Sequence, residues 1–190
     1  MSGLKVGVLA SGRGSNLRNL VERGFDVVAV ATNRPTCGAA DFARARGLAL
    51  GEFPQRAFGS ARDRDEAMRR WMEARGAEVA VCAGYDRVLT PAFWQAFAGP
   101  VINLHPSLLP AFAGGMDAVA RALAQGVKVS GCTVHLVTGE VDGGPILAQA
   151  AVPVAAGDTP ESLLARIHAE EWRILPEVLE ALAQSAPVRQ

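Results

Sequence analysis

The sequence is poor in cysteine and lacks any spacing typical of a metal site. Its 190 residues include three cysteines, Cys37, Cys82 and Cys132, which lie far apart in the chain. An odd number of widely spaced cysteines indicates neither a disulfide framework nor a zinc site. We therefore expect a reducing, cytoplasmic location, and we expect no metal cofactor.

Excess charge and long apolar runs are also missing. Lys and Arg total 19, and Asp and Glu total 19, so the formal net charge is zero. Because no basic run is present, nucleic-acid binding is not favoured. No apolar run is long enough to span a bilayer, and the first residues do not resemble a signal peptide. The length and the 49% hydrophobic content predict one globular domain over residues 1–190.

Short apolar runs alternate with amphipathic segments along most of the chain. We predict successive strands at residues 4–10, 25–31, 48–50, 78–82 and 101–105. Strands that alternate with helices are typical of an α/β protein with a mostly parallel, Rossmann-like sheet and helices on both faces. Residues 129–137 and 146–154 are predicted to add an antiparallel hairpin near the C-terminus. Ligands of such sheets bind beyond the carboxyl ends of the strands.

The run from Val101 to Pro110 presents two polar side chains where an apolar strand ends. Asn103 and His105 are two residues apart, so a strand places them on one face, roughly 6–7 Å apart at Cβ. Pro106 cannot continue the strand's hydrogen-bonding ladder. An amide beside an imidazole at a strand end indicates a catalytic site, and the alternative is a polar strand end covered by a loop.

A glycine-rich turn, residues 11–16, follows the first predicted strand and precedes a helix. Such a turn directs backbone N–H groups and a helix dipole at an anion. Leu17 occupies the place of the third glycine of a dinucleotide fingerprint, and no acid follows the second strand at residues 32–34. A mononucleotide or sugar phosphate therefore fits better, with Asn16 as a further hydrogen-bonding group. The alternative is a purely structural turn.

Two loops and one strand carry further candidate residues. Residues 83–89 combine glycine, an aromatic residue and apolar residues, which suits a flat heterocycle, although a buried connection would look the same. Asp142 lies in the connection of the predicted hairpin, where it either forms the turn or reaches His105. His135, alone on its strand, is interpreted as structural.

The predicted C-terminal helix carries an acid on its apolar stripe. Glu171 repeats with Leu164, Ile167 and Leu175 at helical spacing, and His168 lies one turn earlier. A buried carboxylate needs a partner, so Glu171 is a candidate ligand-binding residue. Exposure of its carboxylate at the edge of the stripe is the alternative. Pro176 is predicted to kink or interrupt the helix.

Three motifs together resemble the 10-formyltetrahydrofolate-dependent formyltransferases. They are residues 103–110 (NLHPSLLP), 131–135 (GCTVH) and 142–146 (DGGPI). The opening SGRGSNL, residues 11–17, is similar to the branch of that family whose acceptor is the amine of 5-phosphoribosylglycinamide. The resemblance extends from Leu4 to about Val178.

The resemblance implies direct transfer of a formyl group from 10-formyltetrahydrofolate, as cosubstrate, to that amine in purine biosynthesis. The implied catalytic residues are Asn103, His105 and Asp142. The implied acceptor-binding residues are Gly14, Ser15 and Asn16 for the phosphate and His168 and Glu171 for the ribose side. The implied folate-binding residues are Arg62, Tyr85, Asp86, Arg87, Val88, Leu89 and Asn103. Small molecules would be the only partners of a monomer or homodimer.

The chain departs from the family pattern by a shift of one residue before Arg62 and at two further positions, and three other functions compete with the implied one. Asp86 stands where a methionine is common, and Ala111 stands where a lysine often follows Leu-Leu-Pro. A related hydrolase would release formate with the same three residues. A methionyl-tRNA formyltransferase would need an added RNA-binding domain. A nucleotide-binding module without catalytic activity is the alternative from a different class.

Overall fold

The computed structural model describes residues 3–185, so the first two and the last five residues of the predicted domain lie outside the described part. The seven strands are β1 (Lys5–Leu9), β2 (Asp26–Thr32), β3 (Leu50–Glu52), β4 (Val79–Cys82), β5 (Val101–His105), β6 (Val129–Leu136) and β7 (Ile146–Pro153). The helices are α1 (Ser15–Glu22), α2 (Gly38–Ala45), α3 (Ala61–Glu73), α4 (Pro91–Trp94), α5 (Ala118–Ala124) and α6 (Pro160–Ser185).

One seven-stranded sheet forms the centre, in the order β3-β2-β1-β4-β5-β6-β7. The first five strands pair in parallel, whereas β6 pairs antiparallel with both β5 and β7. The predicted fold class is therefore confirmed. The strand order reverses between β1 and β4, and such a reversal opens a crevice at the carboxyl ends of the strands.

Apolar side chains cover both faces of the sheet. On one face, Leu17 of α1, Phe42 of α2 and Ile167 of α6 belong to a single buried cluster. On the other face, Met68 of α3 and Phe93 of α4 belong to a second buried cluster. Among residues 3–185, the helices are too short or too polar to cross a membrane.

Two boundary predictions were wrong. The third strand begins at Leu50 rather than at residue 48, because Gly47 takes a left-handed conformation and the Leu48 N–H still bonds to the Ala43 carbonyl. The last helix continues through Pro176 to Ser185 without interruption. Pro176 is itself buried, so burial of this part of α6 offsets the missing backbone hydrogen bond.

Strand β6 lies so close to β7 at Gly131 that no side chain fits there. A Cβ atom on Gly131 would meet the Ala150 carbonyl oxygen at 2.0 Å. We predict that Gly131→Ala lowers the free energy of unfolding by about 1–3 kcal/mol, measured by denaturant titration. Gly59→Ala is the control, because its Cβ would meet nothing closer than 3.4 Å. Equal stability of the two variants would contradict this interpretation.

Candidate active site

A cavity of about 1000 Å³ opens beyond the carboxyl ends of β1 and β4 and beside β5. Its wall includes residues 12–16 after β1, residues 82–91 after β4, the end of β5, and parts of the connection between β6 and β7. Helix α6 closes one side with His168 and Glu171. The glycine loop and the polar end of β5 thus line one space.

The predicted pair of His105 and Asp142 is in contact. His105 Nδ1 lies 3.3 Å from Asp142 Oδ2, and both side chains are almost fully buried. His105 Nε2 lies 3.0 Å from the carbonyl oxygen of Phe112. Both ring nitrogens therefore face acceptors, and only a doubly protonated ring can donate to both at once.

Asn103 joins the same group from the strand. Its Nδ2 lies 3.1 Å from His135 Nε2 and donates to Asp142 Oδ1 at 3.3 Å. His135 Nδ1 lies 2.9 Å from the Leu136 carbonyl, so the proton of a neutral ring belongs on Nδ1. His135 Nε2 is then free to accept from Asn103 and to orient its amide.

His135, which the sequence suggested to be structural, therefore lies within this group of polar side chains. The residue lines the cavity and lies directly opposite Asn103 in the antiparallel pairing of β5 with β6. Periodicity within one strand carries no information about the register between two strands. For that reason the sequence gives no sign that His135 lies beside Asn103.

The Asp142 carboxylate is held as an anion. Burial opposes its ionisation, but the neighbouring His135 ring, the Gly114 N–H and the His105 ring outweigh burial and lower the pKa of Asp142. The Gly114 N–H donates to Oδ2 at 2.8 Å. Asp142 has a φ of 55°, a left-handed conformation that aspartate tolerates better than most residues.

The glycine loop has the geometry of an anion site. Gly14 has a φ of 76°, and a Cβ there would meet Ala39 at 2.8 Å. Helix α1 begins at Ser15 with no side chain capping its N–H groups and no acid in its first turn. Because residues 12–16 line the cavity, these donors are available to a ligand.

Helix α6 brings a buried acid to this loop. Asn16 Nδ2 donates to Glu171 Oε2 at 2.9 Å, and burial raises the pKa of Glu171 to about 7. The alternative of an exposed Glu171 was wrong, because the residue is 4% exposed. His168 Nε2 lies 3.9 Å from the same oxygen. Burial and the nearby charge of Arg13 lower the pKa of His168.

The predicted folate-binding residues fall into two groups. Residues 85–89 all line the cavity, with Tyr85 and Leu89 buried and Val88 exposed at the mouth. Arg62 does not line this cavity. It lines a separate depression of about 530 Å³, which shares Thr90 and Pro91 with the cavity wall.

Some wall residues were not foreseen from the sequence. Met116 and Val141 are exposed apolar side chains at the mouth, as is Val88. Arg13, within the glycine loop, adds a cation to the cavity wall. Within residues 3–185, no three His, Cys, Asp or Glu side chains are grouped as metal ligands.

Comparison with known proteins agrees with this geometry. The Formyl transferase family model matches residues 4–179. The phosphoribosylglycinamide formyltransferase of Mycobacterium tuberculosis H37Rv is 43% identical over 93% of this chain and 83% of its own length. That of Escherichia coli K12 is 36% identical over 95% of this chain and 87% of its own length. The trifunctional purine biosynthetic protein adenosine-3 of Gallus gallus is 37% identical over 96% of this chain, which spans 19% of that longer protein.

Solved structures give the same result. Glycinamide ribonucleotide transformylase 1 from Symbiobacterium toebii superposes with a TM-score of 0.91 at 40% identity, over 98% of this chain and 91% of the other. Phosphoribosylglycinamide formyltransferase from Streptococcus pneumoniae TIGR4 superposes with a TM-score of 0.89 at 34% identity, over 94% of this chain and 98% of the other. The chain belongs to the formyl transferase family.

The raised pKa of Glu171 makes stability depend on pH. The folded chain binds this proton more tightly than the unfolded chain, whose carboxyl has the ordinary pKa of 4.5. The free energy of unfolding should therefore fall as pH rises from about 4.5 through 7, by on the order of 3 kcal/mol. We predict that Glu171→Gln removes this part of the pH dependence, measured by denaturant unfolding at pH 5 and pH 8. An equal change in the free energy of unfolding between pH 5 and pH 8 in both proteins would contradict this prediction.

Proposed function

We propose that this chain transfers the formyl group of 10-formyltetrahydrofolate to the amine of 5-phosphoribosylglycinamide, a step of de novo purine biosynthesis. One observation carries the proposal: Asn103 and His105 both contact Asp142, in a cavity that is also lined by the glycine loop. The names of the relatives agree with this assignment.

The chemistry follows from the groups present. The acceptor amine attacks the formyl carbon and forms a C–N bond, and the formyl oxygen becomes an oxyanion. A preorganised donor aimed at such an oxygen contributes roughly 3–4 kcal/mol. Asn103 and His105 are the donors, and the formyl oxygen competes with Asp142 and the Phe112 carbonyl for their N–H groups.

Collapse of the tetrahedral intermediate breaks the bond from carbon to N10 of the folate. The attacking amine loses one proton, and N10 gains one. His105 carries this proton, or a water does so beside it. Asp142 keeps the ring oriented and compensates its positive charge. The sequence of steps needs no covalent intermediate with the protein.

The acceptor occupies the end of the cavity between α1 and α6. Its phosphate binds the backbone N–H groups at Gly14, Ser15 and Asn16, beside the N-terminus of α1. Its ribose hydroxyls donate to Glu171, with His168 alongside. Asn16 supports this assignment, because its buried Oδ1 has no hydrogen-bond partner among the described residues and needs a donor.

The folate occupies the other end, against residues 85–89. The exposed apolar side chains of Val88, Met116 and Val141 suit its aromatic rings. The position of Arg62 fits only the outer, anionic end of the folate, because this residue lies beyond Thr90 and Pro91. Small-molecule partners, a cytoplasmic location and a monomer or homodimer complete the proposal.

The decisive test is dependence of the reaction on the amine. We predict that purified protein with 10-formyltetrahydrofolate produces tetrahydrofolate only when 5-phosphoribosylglycinamide is added, as followed by absorbance. Formate release without the amine would identify a hydrolase instead. Ribonucleotide binding without any turnover would identify a binding module. Formylation of methionyl-tRNA would identify the third alternative.

Variants of the catalytic group test the mechanism. We predict that His105→Ala and Asp142→Asn each lower kcat at least 100-fold and change the KM of either substrate less than tenfold, because the missing interactions act mainly in the transition state. Asp26→Asn, at the exposed start of β2, is the matched control and should keep normal kcat. Normal turnover in both active-site variants would exclude the mechanism.

A further inference from the structure

A closed ring of hydrogen bonds joins the segments that follow three neighbouring strands. The Ser11 hydroxyl, after β1, donates to Asn33 Oδ1, after β2, at 2.5 Å. Asn33 Nδ2 donates to Asp86 Oδ1, after β4, at 2.7 Å. The Asp86 backbone N–H completes the ring by donating to Ser11 Oγ at 3.1 Å.

The Asp86 carboxylate sets the direction of this ring. A carboxylate only accepts, so Asn33 must turn its NH₂ group to Asp86 and its carbonyl to Ser11. Burial opposes ionisation of Asp86, but the hydrogen bond from Asn33, the nearby Ser11 hydroxyl and the charges of Arg34 and Arg87 lower its pKa. The carboxylate is therefore an anion at neutral pH, and the ring has one arrangement.

The ring lies behind the two loops that meet in the cavity. Ser11 and Asn33 are 5% and 9% exposed, respectively. Of the three residues in the ring, Asp86 lines the cavity and the other two do not. Ser11 begins the glycine loop, and its N–H also donates to the Gly84 carbonyl at 3.0 Å. The glycine loop and residues 84–89 are thus joined by Ser11 and Asn33, which do not line the cavity, and by Asp86, which does.

We propose that Ser11, Asn33 and Asp86 are positioning residues that fix residues 84–89 relative to the glycine loop and so set the distance between the acceptor amine and the formyl carbon. The inference rests on the proposed function, because only a two-substrate transfer needs these loops in register. Reacting atoms must be held about 3–3.5 Å apart, and a misplacement of about 1 Å costs on the order of 100-fold in rate.

The ion pair between Asp86 and Arg34 is a separate feature and supplies the control. The Arg34 side chain is 60% exposed, and exposed ion pairs contribute little. Arg34→Gln removes the cation and leaves all three members of the ring in place. Asp86→Asn keeps an oxygen that can accept from Asn33, whereas Asp86→Ala removes the acceptor.

We test the ring with Ser11→Ala, Asp86→Ala, their double variant, Asp86→Asn and Arg34→Gln. The two alanine variants should lower kcat about 10–100-fold and leave the Kd for 5-phosphoribosylglycinamide alone, measured by calorimetry, within about threefold. The kcat of the double variant should be no lower than that of the worse single variant, because the same ring of hydrogen bonds is broken in each case. Asp86→Asn should recover most of kcat, and Arg34→Gln should match the parent.

Amide hydrogen exchange distinguishes positioning from simple stabilisation. In the two alanine variants, exchange should accelerate at residues 84–89 and stay unchanged in β4, whereas global stability alone would change both. Normal kcat in both alanine variants, or losses that multiply in the double variant, would overturn the inference and leave the proposed function intact. A parent protein without turnover would overturn both proposals.

Discussion

The Asp142 carboxylate is the interaction on which the active site depends. Its two oxygens accept from three directions: Oδ2 faces His105 and the Gly114 N–H, and Oδ1 faces Asn103. One anion therefore connects β5, the loop after β5 and the connection between β6 and β7. Without it, the buried His105 ring and the half-buried N–H groups of Asn103 and Gly114 would lose an acceptor, and such a loss costs about 1–3 kcal/mol for a buried group.

The sheet explains how these groups meet. The antiparallel addition of β6 sets His135 opposite Asn103, and the connection after β6 returns far enough for Asp142 to reach the end of β5. Asn16 and Glu171 are 155 residues apart in the chain and are joined through contacts of α1 with α6. The strand ends thus collect residues from distant parts of the chain around one cavity.

Features that depend on local periodicity were predictable from the sequence. The alternation of strands and helices gave the fold class, and the spacing of Asn103 and His105 gave their common face. The resemblance to a family put Asp142 and His105 in one catalytic group, whereas the contact between them became visible only in the structure. The stripe of the last helix identified Glu171 as a residue that needs a partner.

Features that depend on tertiary contacts were not predictable. The opposition of His135 to Asn103 requires the register between β5 and β6, which neither strand encodes by itself. The continuation of α6 through Pro176 could not be predicted without knowing that this residue is buried, because a proline by itself favours a break in the helix. The separation of Arg62 from the cavity depends on the packing of α3 against α4, which places Arg62 in a depression with residues of α4.

The close packing of Gly14 against Ala39 has a consequence for the thermodynamics of ligand binding. The backbone of the glycine loop already lies against α2. The loop therefore loses its conformational entropy when the chain folds, and not when a ligand binds. Ordering of this loop therefore adds little to the entropic cost of binding. The exposed apolar side chains at the mouth, Val88, Met116 and Val141, still have rotamer freedom to lose. The cavity thus presents surfaces of unequal preorganisation, and the entropic cost of binding a ligand is concentrated at its apolar mouth.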